Sequence, residues 1–191
     1  MPFFSDPTQI AIHSEHEGLS KTFAQLQEDT LKLSSSLYSD LALRRGDVVA
    51  LWSANCYNWL VIQYAAARLG LILCTLNPVY KENELEYALF KSDAKALFMP
   101  SDQTEQFEIN SFSQVFGNIN LDGLPSLKHI LLLENGQLNK CSGQLNVCKV
   151  SSLISKGDLN HKLDAKEEVN ADDPAIIMFT SVIDGSNSTR L

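Results

Sequence analysis

Five short apolar runs, separated by polar or helical segments, set the strongest constraint on how this chain can fold. They are DVVALWS, LILCTLN, KALFMP, HILLLE and AIIMFTS, at residues 47–53, 71–77, 95–100, 129–134 and 175–181. Continuous apolar sequence of this length indicates a strand that is buried on both faces. Helical periodicity separates the first runs, as in Tyr57–Leu69, which is followed by Gly70 as a stop. This alternation predicts an α/β domain, with helices flanking a mostly parallel, layered sheet.

The residues before the first run predict a hairpin and a helix. IAIHS at Ile10–Ser14 alternates apolar and polar residues, and Gly18 marks a turn, so we expect an N-terminal β-hairpin. Thr22 is a candidate N-cap for a helix from Phe23 to about Leu41. Asn55 is the candidate N-cap for the helix at Tyr57–Leu69.

Later segments are less regular. A helix is expected at Lys81–Lys91, another around Gln106–Phe116, and a short one at VSSLISKG. Residues Asn135–Lys156 are rich in Gly, Ser and Asn, which is typical of a surface excursion.

Charge and cysteine content exclude some functions. The net charge is −8, and no basic patch stands out, which argues against a nucleic-acid partner. The four cysteines form no CxxC pair, which favours reduced thiols in an intracellular protein. His13 and His16 are weak candidates for a metal site, because no other ligands accompany them, and we predict no metal site.

Targeting and membrane signals are weak in this sequence. The apolar stretch Val61–Val79 is interrupted by Arg68, Gly70 and Asn77, so it predicts a helix and a strand and no transmembrane segment. The N-terminal residues MPFFSDPT lack the features of a signal or transit peptide. We therefore expect an intracellular location, cytoplasmic or mitochondrial.

Several phrases, in order and at matching spacing, resemble one enzyme family. They are TFAQL, RRGDVVALWSANCYNWLVIQYAAARLGLILCTLNPVY, ELEYALFKSDAKALF, LPSLKHILLL and DDPAIIMFTS, which begin at Thr22, Arg44, Glu84, Leu124 and Asp172. These phrases resemble the adenylate-forming (AMP-binding) enzymes, in the acyl-CoA synthetase branch, and within it the medium-chain fatty-acyl-CoA synthetases. The resemblance covers about Thr8 to Ser181 and implies an incomplete N-terminal subdomain of such an enzyme.

The family resemblance implies a two-step ligation. A fatty-acid carboxylate attacks the α-phosphate of ATP, with Mg²⁺, to give an acyl-adenylate, and coenzyme A then displaces AMP. In the family, a loop reading [ST]-[ST]-G-[ST]-T-G-x-P-K-G follows the last strand. Glycines let its backbone N–H groups turn toward the phosphates, while hydroxyls and the Lys bind phosphoryl oxygens. By this resemblance Thr180, Ser181 and Gly185 are the nucleotide-binding candidates, and no catalytic residue is carried over.

The loop departs from the family pattern beyond Ser181. Val182 replaces the first Gly, and Asp184 would set a carboxylate against the phosphates. Further along, Ser188 replaces the Lys. We therefore expect a partial family domain at residues 1–181 and a polar, disordered tail outside the family pattern at 182–191.

The sequence leaves two functional interpretations open. In the first, this chain is a fragment of an acyl-CoA ligase, truncated at its phosphate loop, inactive alone and with no tight binding of ATP, Mg²⁺ or coenzyme A. In the second, it is a non-catalytic module that binds a full-length synthetase or another protein through an exposed sheet surface. An independent dinucleotide binder is disfavoured, because no GxGxxG follows any strand.

Overall fold

A computed structural model describes residues 6–101, 112–133, 145–161, 168–180 and 188–190. The first described elements form the predicted hairpin, in which β1 (Ile10–Ser14) pairs antiparallel with β2 (Leu19–Thr22). Gly18, in the turn between them, has φ +64°, a conformation that favours glycine. The hairpin prediction is confirmed.

Helix α1 (Phe23–Ser39) begins directly after β2, and its cap is the one that the sequence predicts. The backbone N–H of Gln25 donates to Thr22 Oγ1 at 3.2 Å, and the N–H of Thr22 donates to Gln25 Oε1 at 2.9 Å. This reciprocal pair is a capping box, which satisfies two backbone donors that the helix cannot bond internally. The helix ends two residues before the expected Leu41.

The remaining described strands form one seven-stranded sheet, in the order β7-β6-β5-β3-β4-β8-β9. Strands β3 to β8 pair in parallel, and β9 pairs antiparallel with β8. The layered, mostly parallel α/β fold is confirmed. The strand bounds are β3 Val48–Trp52, β4 Ile72–Leu76, β5 Ala96–Met99, β6 His129–Leu132, β7 Asn146–Lys149, β8 Ile176–Thr180 and β9 Ser188–Arg190.

Helices cover both faces of the sheet, and each face has its own apolar core. On one face, α1 packs with α2 (Tyr57–Leu69) and α5 (Val150–Lys156) around fully buried residues such as Leu33 and Ile62. On the other face, α3 (Glu82–Ser92) and α4 (Phe112–Asn118) pack around Trp52 and Phe116. Alternate residues of β3, β4, β5 and β6 supply the two cores, as their continuous apolar runs predict.

The cap prediction for α2 is wrong at its start and right at its end. The N-cap is Cys56, whose side chain makes no capping hydrogen bond, while Asn55 is exposed one residue earlier. Asparagine is a good capping residue by type, but the chain enters the helix one residue later. At the other end Gly70 has φ +64°, and its N–H donates to the carbonyls of Ala66 and Ala67, as a left-handed cap requires.

The structure bears on three further expectations. Strand β7 lies inside the segment that the sequence describes as a surface excursion, because Asn146–Lys149 is too short and too polar to show a strand pattern. The helix expected around Gln106–Phe116 is α4, whose described part ends two residues later, at Asn118. Ser188–Arg190, which the sequence assigns to a disordered tail, forms β9 by pairing with β8.

Candidate functional site

The carboxyl edge of the sheet is the place where this fold can bind a ligand. In open α/β sheets, ligands bind outside the carboxyl ends of the strands, at the point where neighbouring connections leave in opposite directions. Here β3 and β5 are neighbours. The chain leaves β3 through α2 on one face and leaves β5 toward α4 on the other. The topological switch point therefore lies between the carboxyl ends of β3 and β5.

Strand β8 brings the first nucleotide-binding candidate to this same edge. Its register aligns Ile176 with Leu73 and Met178 with Thr75 of the parallel strand β4. Strand β4 ends one residue after Thr75, whereas β8 continues for two residues after Met178. The backbone of Thr180 therefore extends one residue beyond the neighbouring strand, at the carboxyl edge.

The other two candidates follow along the chain. Thr180 pairs with Ser188 of β9, so residues 181–187 connect two backbone positions that are paired with each other. Ser181 and Gly185, the remaining predicted nucleotide-binding residues, belong to this connection and lie outside the described residues.

An ion pair holds the segment that leads into β8. The Arg45 side chain donates from Nε to Asp173 Oδ2 at 2.8 Å and from Nη2 to Asp173 Oδ1 at 2.6 Å. The same Asp173 Oδ2 also accepts the backbone N–H of Asn170 at 2.9 Å. These hydrogen bonds, that from Arg45 first, hold the pKa of Asp173 below its ordinary value of 3.8. The bidentate geometry ties the start of β8 to the turn before β3.

Side chains at the carboxyl edge hold the strand ends together. Trp52 Nε1 donates to the carbonyl of Asn77 at 3.0 Å, which joins the ends of β3 and β4. Asn58 Nδ2 donates to the carbonyl of Leu133 at 2.7 Å, which joins the start of α2 to the end of β6. The sequence did not single out Asn58, since an Asn in the first turn of a helix reads as an ordinary polar residue.

The N-terminus of α2 also opens at the carboxyl edge, and helix N-termini attract anions. This one is already engaged, because the backbone N–H of Tyr57 donates to the Glu17 carboxylate at 2.9 Å. Glu17 lies in the turn of the hairpin, 40 residues away along the chain. A carboxylate from the hairpin thus caps the helix in place of a phosphate.

Burial sets the protonation states of nearby titratable groups. Tyr57 donates its hydroxyl to Asp29 Oδ2 at 2.6 Å, and burial followed by this carboxylate raises the pKa of Tyr57 well above its ordinary value. Burial likewise raises the pKa of the Cys74 thiol to about 11 and that of Cys148 above its ordinary value. A raised pKa favours the thiol over the thiolate in both side chains, which lowers their reactivity as nucleophiles.

Asn77 and the histidine candidate His13 make local hydrogen-bond contacts. The Asn77 side chain accepts the N–H of Val79 at 3.2 Å within its own turn. His13 Nδ1 and Ser20 Oγ are 2.8 Å apart across the hairpin. Within the described ranges, no group of three or more His, Cys, Asp or Glu side chains is placed to hold a metal ion.

A family comparison fits this geometry. The model of the family described as AMP-binding enzyme matches residues 5–185, nearly the whole chain. The chain belongs to the AMP-binding enzyme family. Its match within the family reaches Gly185, four residues beyond the domain boundary predicted at Ser181.

Relatives of this AMP-binding chain include named ligases. It is 33% identical over 189 residues to the mitochondrial medium-chain acyl-CoA ligase ACSF2 of Bos taurus and 31% identical over 185 residues to that of Homo sapiens. It is 25% identical over 172 residues to the putative acyl-CoA synthetase YngI of Bacillus subtilis. The first two alignments cover 94% of this chain and 30% of each relative, and the third covers 86% and 31%. The chain thus spans about a third of the length of these relatives.

Solved structures show the same fold for this AMP-binding chain. The anthranilate CoA ligase AuaEII, in complex with anthranoyl-AMP, superposes with a TM-score of 0.77 at 20% identity, over 96% of this chain and 31% of that one. MatB from Rhodopseudomonas palustris gives 0.70 at 18% identity, over 97% and 32%. The N-terminal domain of FACL13 from Mycobacterium tuberculosis gives 0.69 at 17% identity, over 92% and 38%. The fold is that of the N-terminal domain of adenylate-forming enzymes.

A membrane-crossing helix is not found in the part of the chain that the structure describes: no helix there is both long and apolar enough.

Proposed function

We propose that this chain is the N-terminal part of an ATP-dependent ligase that joins a fatty acid, of medium chain length, to coenzyme A through an acyl-adenylate. The alignment with medium-chain acyl-CoA ligases along 94% of the chain carries this proposal. The geometry supports it, because β8 delivers Thr180 to the carboxyl edge, where a sheet of this topology binds its ligand. We propose a mitochondrial location on the same basis, with a cytoplasmic one as the alternative.

The residues that would hold the phosphates of ATP are Thr180, Ser181 and Gly185. Hydroxyls there would donate to phosphoryl oxygens, and the glycine would let backbone N–H groups turn toward them. The pairing of Thr180 with Ser188 brings both ends of this connection to one place, which fits a loop around an anion. Two residues oppose such binding, since Val182 resists a left-handed backbone and Asp184 repels a polyphosphate.

We further propose that the 191-residue chain has no ligase activity by itself. Coenzyme A would then be a substrate, and Mg²⁺ a cofactor, of the whole enzyme. The chain should show no fatty-acid-dependent exchange of pyrophosphate into ATP, whereas the bovine medium-chain ligase gives exchange in the same assay. Exchange above background by the 191-residue chain would contradict this proposal.

A pair of chimaeras tests residues 6–180 separately from the residues that follow Thr180. Residues 6–180 would replace the aligned part of the bovine ligase, with the host's own loop following Thr180, and decanoate-dependent exchange is expected to persist. The matched chimaera carries residues 6–191 before the host sequence resumes, and exchange should fall to background, because Val182 and Asp184 then stand in the loop. Equal activity of the two chimaeras would contradict the role of the loop. A folded but inactive first chimaera would contradict the proposed ligase function.

A second candidate function, a non-catalytic binding module, has one structural observation in its favour. On the face of the sheet where α2 packs, β8 leaves Ile176 38% and Met178 57% exposed. Adjacent exposed apolar side chains on a strand can form an interface with another protein. A sharp gel-filtration peak of defined stoichiometry, with the full-length ligase or another protein, would favour this function over the fragment.

A further inference from the structure

A groove of about 660 Å³ lies between α1 and α2. Leu26 and Leu31 line it from α1, Tyr64 and Ala67 from α2, and Val169 at the segment that precedes β8. Most of this lining is apolar, and the volume falls within the range of about 300–1,000 Å³ that small-molecule sites occupy. The groove is therefore large enough for a small apolar ligand.

The groove is distinct from the carboxyl edge that the proposed function uses. Tyr64 to Arg68 belong to the second half of α2, which ends at Gly70 just before β4 begins. This end of α2 lies at the amino edge of the sheet. Thr180 lies at the opposite, carboxyl edge, at the end of β8, which runs parallel to β4. A ligand in the groove would leave the switch point free.

The charged residue in the lining favours a ligand with a negative charge. Arg68 is the cation among the described lining residues, and it is exposed. Within the described ranges, no carboxylate forms an ion pair with it. The described lining residues include no acidic side chain, although the chain as a whole carries a net charge of −8. A guanidinium beside an apolar groove complements a carboxylate that is attached to an alkyl chain.

The residues before β8 keep one wall in place. Val169 Cγ2 approaches the position that a Cβ on Gly70 would occupy to 3.1 Å, so this segment packs directly on the end of α2. The next residue, Asn170, donates its N–H to Asp173, which Arg45 holds in turn. The wall is thus fixed by hydrogen bonds independent of any ligand.

From these observations we infer that the α1–α2 groove binds a single-chain carboxylate amphiphile of the fatty-acid class, with its alkyl chain against Leu26, Leu31 and Ala67 and its carboxylate at Arg68. The inference does not depend on the proposed ligase function, because the site lies away from the carboxyl edge and needs neither ATP nor coenzyme A.

Calorimetric titration of the 191-residue chain with octanoate, decanoate and dodecanoate, each kept monomeric, tests the inference. We expect saturable one-to-one binding that tightens about fourfold for each added methylene while the groove has room. Decyltrimethylammonium, which has the same tail and the opposite charge, should bind at least tenfold more weakly than decanoate, because its head group meets Arg68.

Two variants and one control localise the binding. Arg68→Gln should weaken decanoate binding about tenfold or more, since it removes a charged hydrogen bond. Ala67→Trp should abolish binding by filling the groove from an exposed helix position. Lys91→Gln is the matched control, because Lys91 is the basic residue in the last turn of α3 as Arg68 is in α2. It should bind like the native chain.

Circular dichroism of each protein would confirm that it is folded. Absence of saturable binding to the native chain would overturn the inference. Binding that Arg68→Gln and Ala67→Trp leave unchanged would overturn it as well, because the ligand would then occupy another part of the protein. If only the folded Ala67→Trp variant loses binding, the groove stands as the site and the carboxylate contact with Arg68 is refuted.

Discussion

Two threonine hydroxyls, one at the start of α1 and one within it, differ in their hydrogen bonding. Thr22 Oγ1 accepts the backbone N–H of Gln25 and so caps the helix. Thr30 Oγ1, two turns later, is buried and has no hydrogen-bond partner in the described structure. Replacing each threonine by valine changes a hydroxyl into a methyl group of similar size. Comparison of the two variants therefore isolates the contribution of one hydrogen bond to the free energy of unfolding.

We expect Thr22→Val to lower the free energy of unfolding by about 1 kcal/mol, because a backbone donor of the first turn loses its acceptor and valine is a poor N-cap. Urea denaturation, followed by far-ultraviolet circular dichroism, would measure the change. An unaltered midpoint would mean that water or another group replaces the hydroxyl without loss.

Thr30→Val, in contrast, should not lower the free energy of unfolding. The hydroxyl is buried without a partner, so its removal should leave the free energy of unfolding unchanged or raise it by up to about 1 kcal/mol. The same urea titration gives the answer, and Thr22→Val is the matched comparison. A loss of 1 kcal/mol or more would show that the Thr30 hydroxyl does form a bond in solution.

At the scale of elements, the connection from α2 to β4 depends on a glycine for two separate reasons. Gly70 has φ +64°, and a Cβ there would lie 2.9 Å from Arg45 Cγ and 3.1 Å from Val169 Cγ2. Gly18 has the same φ but nothing within 4 Å of its Cβ position. Gly18→Ala should therefore cost about 1–2 kcal/mol of stability from the backbone alone, and Gly70→Ala should cost more, because Arg45 and Val169 must also move. Thermal unfolding of both variants compares them, and equal losses would refute the steric contribution.

The ion pair between Arg45 and Asp173 should make stability depend on pH in the acid range. The pKa of Asp173 is lower in the folded chain than the ordinary 3.8, so the folded state favours the carboxylate. Its contribution is complete above the unfolded pKa and is lost as the pH falls through the folded pKa. We expect Asp173→Asn to be less stable than the native chain at pH 7, with the difference shrinking below pH 3.8. Urea midpoints measured from pH 7 to pH 2 would show whether the two curves converge.

The sequence predicts elements well wherever a local pattern decides them. The five strands at the apolar runs, the Thr22 cap and the Gly70 stop all depend on residues within a few positions of one another, and each is confirmed. Burial on both faces is wrong for β8, where Ile176 and Met178 are exposed. Strand β7 and the cap of α2 are decided by distant partners: β7 pairs with β6, and α2 is capped by Glu17 of the hairpin. Such long-range contacts leave no periodic signal in the local sequence.

The candidate site was predictable to a smaller extent. The position of Thr180 at the end of a buried run could be inferred, since the carboxyl ends of parallel strands share one edge. The bond from Asn58 to the end of β6 and the clamp from Arg45 to Asp173 could not, because each joins residues at least 75 positions apart. The roles of Ser181 and Gly185 in nucleotide binding stay predictions.

At the scale of the whole molecule, the exposed apolar residues of β8 should govern association. Ile176 and Met178 are adjacent on one face, so Met178→Lys should reduce self-association, because a buried ammonium would be costly in any interface formed there. Gel filtration with light scattering over a range of concentrations measures the effect. Phe90→Lys, at a side chain of α3 that is 63% exposed, is the control for added charge. Equal effects of the two changes would argue against β8 as the interface.

The pairing of β4 with β8 also implies a delay during synthesis, because β4 leaves the ribosome long before its partner strand. Leu73 and its partner Ile176 lie about 100 residues apart, so at about 5–20 residues per second the ribosome takes on the order of 5–20 seconds to deliver the second after the first. Strands β3, β4 and β5 can pair during that interval, but one edge of β4 stays without its neighbour. Each nascent chain thus spends seconds with an apolar strand edge open, and an unpaired edge of this kind can pair with another extended polypeptide.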